Sequence, residues 1–358
     1  MNLVRCIAVS IAMTISVKAG PDVGADTVAR IDSLFSTFDH PNAPGASVMV
    51  IHHGKPVFAK GYGLANLDSK IPCTTNTNFR LASVTKQFTA MAVMILAERK
   101  ALSLGESLSA FFPEFPEYGR GITVRHLLTH TSGLIDYEDV IPEGTTMPVL
   151  DQDVLRLLMM QDKTYFPPGA QYRYSNSAYA LLALMVEVRS GQTFGRFLKE
   201  HVFEPLKMTN TLAYEEGLST VINRAFGHTL KSNAWSRTDQ SLTSAVLGDG
   251  GIYSSVTDLA KWDQALSKTK LVSEPMLQVA FSPLTPTDRP GRSYGFGWYI
   301  TEYRGMKEIY HSGETIGFRT RIARYPEKQL TAIILANRSD TKLDEVAHQI
   351  ADLMLFGR

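Results

Sequence analysis

Cysteine is almost missing from this chain. There are two in 358 residues, Cys6 and Cys73, and Cys6 lies in an apolar leader. Once the leader is removed a single thiol remains, which excludes an internal disulfide and a cysteine-built metal cluster, so stability has to come from a core. A dominant charge is missing as well: 36 Lys plus Arg stand against 35 Asp plus Glu, a formal net charge of +1. No global field then draws the chain to nucleic acid or to anionic lipid, and a small, near-neutral substrate is the partner expected. The sequence lacks internal repeats and low-complexity tracts, and its 44% hydrophobic and 20% charged content excludes a disordered chain. The apolar run from Cys6 to Val17 is too short for the about 20 residues that span a bilayer. With Arg5 before it and Val17-Lys18-Ala19 after it, the run reads as a secretory signal over 1–19, cut after Ala19, against the alternative of a retained anchor. The mature chain is then expected to be secreted or periplasmic, as one domain over 20–358 without a stable membrane span.

Periodicity orders the rest. Asp22 to Phe38 has the spacing of an amphipathic helix. Ala46 to His52 and Pro56 to Tyr62 are predicted strands around a turn at His53-Gly54-Lys55. Ser83 to Arg99 is a predicted helix, apolar on more than one face and hence buried. Helical periods follow at Val124 to His130, Asp151 to Met160, Ser177 to Arg189, Phe194 to Val202 and Thr257 to Leu266. Strand signals return at Gly297 to Tyr303, Glu308 to His311, Thr320 to Tyr325 and Leu330 to Ala336, before a last helix over Leu343 to Phe356. This order predicts an α/β fold of the α+β kind. One antiparallel sheet, from about 20–82 and 290–358, is flanked by terminal helices, and an all-helical lobe from about 110–270 lies beside it.

Three short motifs carry chemistry. A serine hydroxyl needs a base, and a lysine three residues on in a helix is placed to serve as one. S-x-x-K occurs at Ser83/Lys86, Ser267/Lys270 and Ser339/Lys342. The last two lie in polar connectors, Ser339 placed like an N-cap for the final helix. Ser83 opens the buried helix, whose N-terminus favours an oxyanion, and burial there lowers the pKa of Lys86 toward the neutral form. Tyr174-Ser175-Asn176 supplies a phenol that can pass a proton and an amide that can bind a substrate carbonyl. His311-Ser312-Gly313 ends a predicted strand, where Gly313 lets a substrate backbone approach. His311 can donate to substrate or hold Tyr174, and the N–H groups of Ser83 and Glu314 can form an oxyanion hole. Each of these residues also has a plain structural reading, as cap, core tyrosine, turn asparagine or satisfied histidine.

In this order and spacing the three motifs resemble those of class C β-lactamases and the related penicillin-binding proteins, esterases and D-aminopeptidases. The similarity runs from Gly61-Tyr62-Gly63-Leu64-Ala65 to Phe318. It includes Phe79 to Ala90, His126 to Leu134, Gly250-Gly251-Ile252-Tyr253-Ser254 and Tyr294-Gly295-Phe296-Gly297-Trp298. The resemblance implies an acyl-enzyme on Ser83, with Lys86 and Tyr174 as the base system and Asn176 as a substrate ligand, in a cleft between sheet and helical lobe. It implies no cofactor and no metal. Class C β-lactamases usually carry lysine where His311 stands, and a largely neutral histidine holds a substrate carboxylate less well. Glu314 adds negative charge there, unless Arg319 or Arg321 compensates. An ester or D-amino-acid peptide therefore ranks ahead of a β-lactam as substrate, and a module that acylates without turnover is the non-enzymatic alternative.

Two other motifs compete. Gly291-Arg292-Ser293-Tyr294-Gly295 satisfies G-x-S-x-G, but prolines precede it and no Asp lies between Ser293 and His311, which excludes a nucleophile elbow. His126 and His130 stand at i and i+4, yet Leu127 occupies the place of the glutamate that zinc-protease chemistry needs. They are expected to pack and cap.

Overall fold

The computed structural model describes residues 23–357; the leader sequence 1–19 lies outside the described residues. Helices span α1 (Ala25–Ser33), α2 (Lys86–Glu98), α3 (Val124–Leu128), α4 (Asp151–Met159), α5 (Asn176–Ser190), α6 (Phe194–Leu198), α7 (Leu247–Gly250), α8 (Val256–Ser267), α9 (Glu274–Ala280) and α10 (Leu343–Phe356). The main strands are β1 (Ala46–His52), β2 (Lys55–Tyr62), β3 (Thr285–Pro286), β4 (Ser293–Tyr294), β5 (Tyr299–Tyr303), β6 (Met306–Thr315), β7 (Phe318–Tyr325) and β8 (Leu330–Ala336). They form one eight-stranded sheet in the order β3-β4-β5-β6-β7-β8-β1-β2. All its pairings are antiparallel, and the amino-terminal hairpin joins the carboxy-terminal strands where Ala46 pairs with Ala336.

Turn chemistry sets the hairpins. His53 and Gly54 both have positive φ (49° and 72°), as do Arg304 and Gly305 (50° and 77°), the backbone of a two-residue turn whose twist matches that of the flanking strands. Because β1 is covered on both faces, its apolar run is unbroken rather than alternating. Val48 and Val50 pack with Ile31, Ile334, Ala347 and Ile350 under α1 and α10. Met49 and Ile51 pack with Phe88, Trp262 and Ile333 under α2 and α8. The Trp262 indole donates to Gln87 Oε1 at 2.9 Å, joining α8 to α2. Two buried ion pairs brace the sheet. Arg324 meets Asp263 of α8 at 2.7 Å, and Arg321 meets Glu308 at 2.8 Å.

The expected elements are present with small shifts at their ends, and the differences have local causes. Helix α1 stops at Ser33, and Ser36–Phe38 is a separate 3-10 turn. The Phe194 to Val202 helix is split into α6 and a π-helical turn over Lys199–Phe203. Ser339 does not cap α10: Lys342 holds that position without a side-chain cap. The middle of the chain also carries short strands that the helical pattern does not announce. Phe79–Arg80, Ile252–Ser254 and Leu212–Ala213 form a three-stranded sheet. It holds the segment leading into Ser83: Leu81 N–H donates to Ile252 O at 2.8 Å, and Arg80 donates to Ser244 O at 2.8 Å.

Candidate active site

Ser83 lies one turn ahead of α2, inside the 3-10 turn Ala82–Thr85, and Lys86 is the first residue of the helix proper. Ala82 holds φ +49°, a left-handed conformation costing a side chain about 1–2 kcal/mol. The bonds made by Arg80 and Leu81 fix it in place. The Ser83 hydroxyl is thereby held at the rim of the helix, partly exposed, while Lys86 is fully buried. Lys86 Nζ donates to Ser83 Oγ at 3.1 Å, to Asn176 Oδ1 at 2.9 Å and to the Asp249 carbonyl at 2.9 Å. These three acceptors match the three protons of an ammonium. Burial nevertheless pulls the Lys86 pKa down to about 8, against the opposing pull of Asp249, Asp136 and Glu138.

The second motif reaches this point because its loop is stitched to the one after α3. Arg173 N–H donates to the His130 carbonyl at 2.9 Å and Gly169 N–H to that of Thr131 at 2.8 Å. His130 Nδ1 accepts from Ser175 N–H at 3.1 Å. Ser175 then caps α5 by accepting from Ala178 N–H at 3.1 Å, which turns Asn176 toward Lys86. Burial raises the Tyr174 phenol pKa well above the usual value, against the pull of the neighbouring Ser83 side chain. The resting phenol therefore keeps its proton, and of the two groups beside Ser83 it is Lys86 whose pKa is brought down toward neutrality. The Lys86 ammonium sits 4.9 Å from the Tyr174 ring centroid. Asn176 does not present a free amide, since its Nδ2 donates to Glu138 Oε1 at 3.3 Å.

The third motif lies on β6. Its Gly313 faces the Ser83 turn so closely that a Cβ would stand 2.1 Å from Leu81 O and 2.3 Å from Thr320 Oγ1. The chain that Gly313 admits is thus the protein's own. His311, two residues earlier on the same face, is buried. Its Nε2 lies 3.0 Å from the Tyr294 hydroxyl and its Nδ1 lies 2.7 Å from Ser312 O. That pair assigns the proton to Nδ1 and makes Nε2 the acceptor. Burial, then the Lys86 charge, pushes its pKa down to about 3, so the ring is neutral at ordinary pH. Its ring centroid is 6.4 Å from that of Tyr174, and the hydroxyl it meets directly is that of Tyr294.

Alternation along β6 turns Ser312 and Glu314 to the other face. Ser312 Oγ donates to Asp344 of α10 at 3.0 Å and accepts from Arg321 at 2.9 Å, and the exposed Glu314 carboxylate faces Arg319 at 3.6 Å. Only the backbone of these two residues is left for a substrate. Neither Arg319 nor Arg321 supplies the missing cation, because Arg319 donates to Thr315 O and Phe318 O while Arg321 is buried against Glu308 and Asp344. β5 pairs with β6 only as far as Tyr299 and Tyr310, so that among the described residues the edge of β6 beyond Tyr310 has no strand partner on that side.

Residues the motifs did not single out complete the site. Asp249 gives Lys86 its carbonyl and takes the Tyr137 hydroxyl on Oδ2 at 3.1 Å. Asp136 accepts from Asn176 N–H at 3.4 Å. A signal for two of them was present, since Asp249 immediately precedes Gly250-Gly251 and Tyr294 opens Tyr294-Gly295-Phe296-Gly297-Trp298. His126 caps α3, its Nδ1 accepting from Thr123 N–H at 3.3 Å. Ser293 lies in the two-residue strand β4, not in a strand-to-helix turn. Among the described residues no group of three or more His, Cys, Asp and Glu side chains is placed to hold a metal ion, and no helix is long and apolar enough to cross a membrane.

Comparison with known proteins agrees with this geometry. Penicillin-binding protein 4* of Bacillus subtilis is 31% identical over 345 aligned residues, covering 92% of this chain and 76% of that protein. A D-aminopeptidase of Brucella anthropi is 28% identical over 326 residues, with 87% of this chain and 59% of the relative covered, so the chain spans about three fifths of that protein's length. The structure of an octameric penicillin-binding protein homologue from Pyrococcus abyssi superposes with a TM-score of 0.82 at 27% identity, covering 92% of this chain and 77% of that one. The sequence model of the family described as Beta-lactamase matches residues 31–354, and the chain accordingly belongs to the β-lactamase family, as an enzyme of the serine-hydrolase type.

Proposed function

We propose that the protein cleaves an ester or amide acyl bond through a covalent intermediate on Ser83. The observation that carries this reading is the contact of Lys86 Nζ with Ser83 Oγ at 3.1 Å in a setting that brings the lysine pKa down to about 8. Neutral Lys86 takes the hydroxyl proton as Ser83 Oγ bonds to the substrate carbonyl carbon. The carbonyl oxygen becomes an oxyanion, received by the backbone N–H groups of Ser83 and Glu314. The close seat of Gly313 on Leu81 and Ala82 supports that pairing, because it sets the two peptide groups side by side. Tyr174, next to Ser83, relays the proton to the departing oxygen or nitrogen as the acyl bond breaks. Water then attacks the acyl carbon, giving one proton back through Tyr174 and Lys86, and Ser83 leaves with its hydroxyl restored. His311 acts in both halves by fixing Tyr294, and Asn176 offers its amide to the substrate carbonyl when it releases Glu138.

The substrate is a small ester or a D-amino-acid amide or peptide, ahead of a β-lactam. The neutral His311 offers an anionic substrate no cation to pair with, the groups lying near Lys86 are the acids Asp136, Glu138 and Asp249, and the D-aminopeptidase relative supports an amide or peptide. We also infer that 20–358 is the exported catalytic domain, from the leader pattern over 1–19. The test is a kinetic panel of p-nitrophenyl acetate, D-phenylalanine amide, D-alanyl peptides and nitrocefin, with intact-mass detection of the acylated chain. Ser83→Ala is expected to abolish both turnover and the acyl adduct. Nitrocefin turnover exceeding ester and amide turnover by orders of magnitude would overturn the substrate order, and an adduct without turnover would mark an acylated binding module.

A further inference from the structure

Asp249 meets Lys86 in a way that needs no acid. Its backbone carbonyl accepts from Lys86 Nζ at 2.9 Å, a contact that any residue in its place could make. The side chain is nevertheless a carboxylate, only 7% exposed, and a carboxylate kept from water is costly unless something nearby compensates it. The short helix α7 holds it there. Leu247 and Gly248 N–H donate to the Asp151 carboxylate of α4 at 2.8 and 3.0 Å, and Gly248 O accepts from Thr89 of α2 at 2.7 Å. A Cβ on Gly248 would stand 2.3 Å from Tyr179 O of α5. Three helices thus fix the residue, and the Tyr137 hydroxyl, donating to Oδ2 at 3.1 Å, fixes its side chain.

Lys86, fully buried, spends its three donors on Ser83 Oγ, Asn176 Oδ1 and Asp249 O, and all three acceptors are uncharged. An ammonium there is compensated through space. The Asp249 side-chain oxygens lie at most about 5 Å from the carbonyl oxygen of the same residue, which puts them within about 8 Å of Nζ, across protein that screens charge far less than water does. Other groups around the pair are exposed, engaged or neutral. Asp136 is half-buried and Glu138 exposed, both bonded to Asn176, and Arg80 donates to Gly250 O and Ser244 O. The phenols of Tyr174 and Tyr179 and the imidazoles of His130 and His311 lie around Lys86 uncharged, because burial raises the first pair and lowers the second. Burial lowers the Lys86 pKa and Asp249 leads the charges opposing it; burial raises the Asp249 carboxyl, and Lys86, Tyr137 and Arg80 pull it back. We propose that the Asp249 side chain is the counter-charge of the Lys86 ammonium, a positioning residue that holds on the lysine the proton taken from Ser83 and so sets the pH range in which the base works. Asp249 itself exchanges no proton: the proton leaves Ser83 Oγ for Lys86 Nζ as Oγ bonds to the carbonyl carbon, and the carboxylate stabilises the ammonium that results. This inference rests on the acyl-enzyme reading and adds to it the group that tunes its base.

Asp249→Asn tests it, since the amide keeps the backbone carbonyl and an acceptor for Tyr137 while removing the charge. The acid limb of kcat/KM for p-nitrophenyl acetate is expected to move down by about one pH unit. Activity at pH 7, relative to each protein's own alkaline plateau, then rises about fivefold over wild type. The pH dependence of fluorophosphonate labelling at Ser83 should move with it. Because each profile is scaled to its own plateau, partial loss of folded protein or a merely structural disturbance changes its height and not its midpoint. Tyr137→Phe takes the donor from Oδ2 and disfavours the charged carboxylate, so its limb should move the same way by less, and it carries the test if Asp249→Asn does not fold. A limb that stays in place in both variants, or moves up, overturns the role of Asp249 and leaves the hydrolase intact. If the wild type neither turns over the ester nor is labelled at Ser83, the acyl-enzyme reading fails and this role falls with it.

Discussion

Replacing Gly313 by alanine should damage catalysis more than folding. The added Cβ would stand 2.1 Å from the Leu81 carbonyl oxygen and 2.3 Å from Thr320 Oγ1, against ordinary carbon–oxygen contacts a little over about 3 Å. Neither neighbour yields easily. Thr320 Oγ1 donates to Leu81 O at 2.6 Å, so rotating it away orphans a buried carbonyl, and Leu81 is held from behind by its N–H bond to Ile252 O at 2.8 Å. The relief available is a shift of β6 away from the Ser83 turn by about 1 Å, and a misplacement of that size costs on the order of a hundredfold in rate. Overpacking of this kind costs about 1–3 kcal/mol of stability, less than the net stability of an ordinary domain, so the variant should fold. Ester kcat/KM and the rate of fluorophosphonate labelling should fall together, since both require Ser83 to be set against its oxyanion donors, while the urea midpoint moves modestly. A folded Gly313→Ala protein within threefold of wild type in both would refute the claim that β6 is seated on Leu81 and Ala82 to build the site.

Two further perturbations address the base and the frame. With Lys86 as the base, and its pKa lowered by burial to about 8, its neutral fraction is about a tenth at pH 7. Ester kcat/KM, corrected for spontaneous hydrolysis, should therefore rise about tenfold per pH unit below 8 and level off above it, and a profile still climbing steeply at pH 9.5 would refute the assignment. Asp263→Ala leaves Arg324 buried without the carboxylate now 2.7 Å from it, and deprives Thr331 of an acceptor at 2.9 Å. Urea denaturation should show a loss of about 3–5 kcal/mol, Asp263→Asn a smaller one, and a loss under about 1 kcal/mol for Asp263→Ala would mean that water solvates Arg324.

What could be read from the sequence follows the strength of the local signal. Leu343 to Phe356 repeats its apolar residues at helical spacing on one face, and α10 has those bounds. Pro56 to Tyr62 follows a turn whose glycine admits positive φ, and β2 starts one residue earlier, at Lys55. The pairs Phe79–Arg80 and Leu212–Ala213 show no period at all, because a two-residue strand is too short to have one. They are specified by tertiary partners, Arg80 on Ser244 and Gly250 and Leu81 on Ile252. The break after Leu198 is likewise invisible, since a π-helical turn keeps helical composition while changing the hydrogen-bond register.

The same distinction divides the site. Ser83 and Lys86 are linked by helix geometry, which spacing encodes directly, and for that reason the pair was visible without a structure. The roles of His311 and Glu314 depend on which way β6 faces and on what packs behind it, and neither is written in the motif. Strand alternation turns the Glu314 carboxylate and the Ser312 hydroxyl toward α10, so the negative charge expected beside the oxyanion is spent on Arg319 at 3.6 Å. Burial, with the Lys86 charge, removes the positive charge of His311, and Tyr294 takes up its Nε2. The third motif is in consequence electrically neutral toward a substrate, and any charge selection must come from groups on other elements.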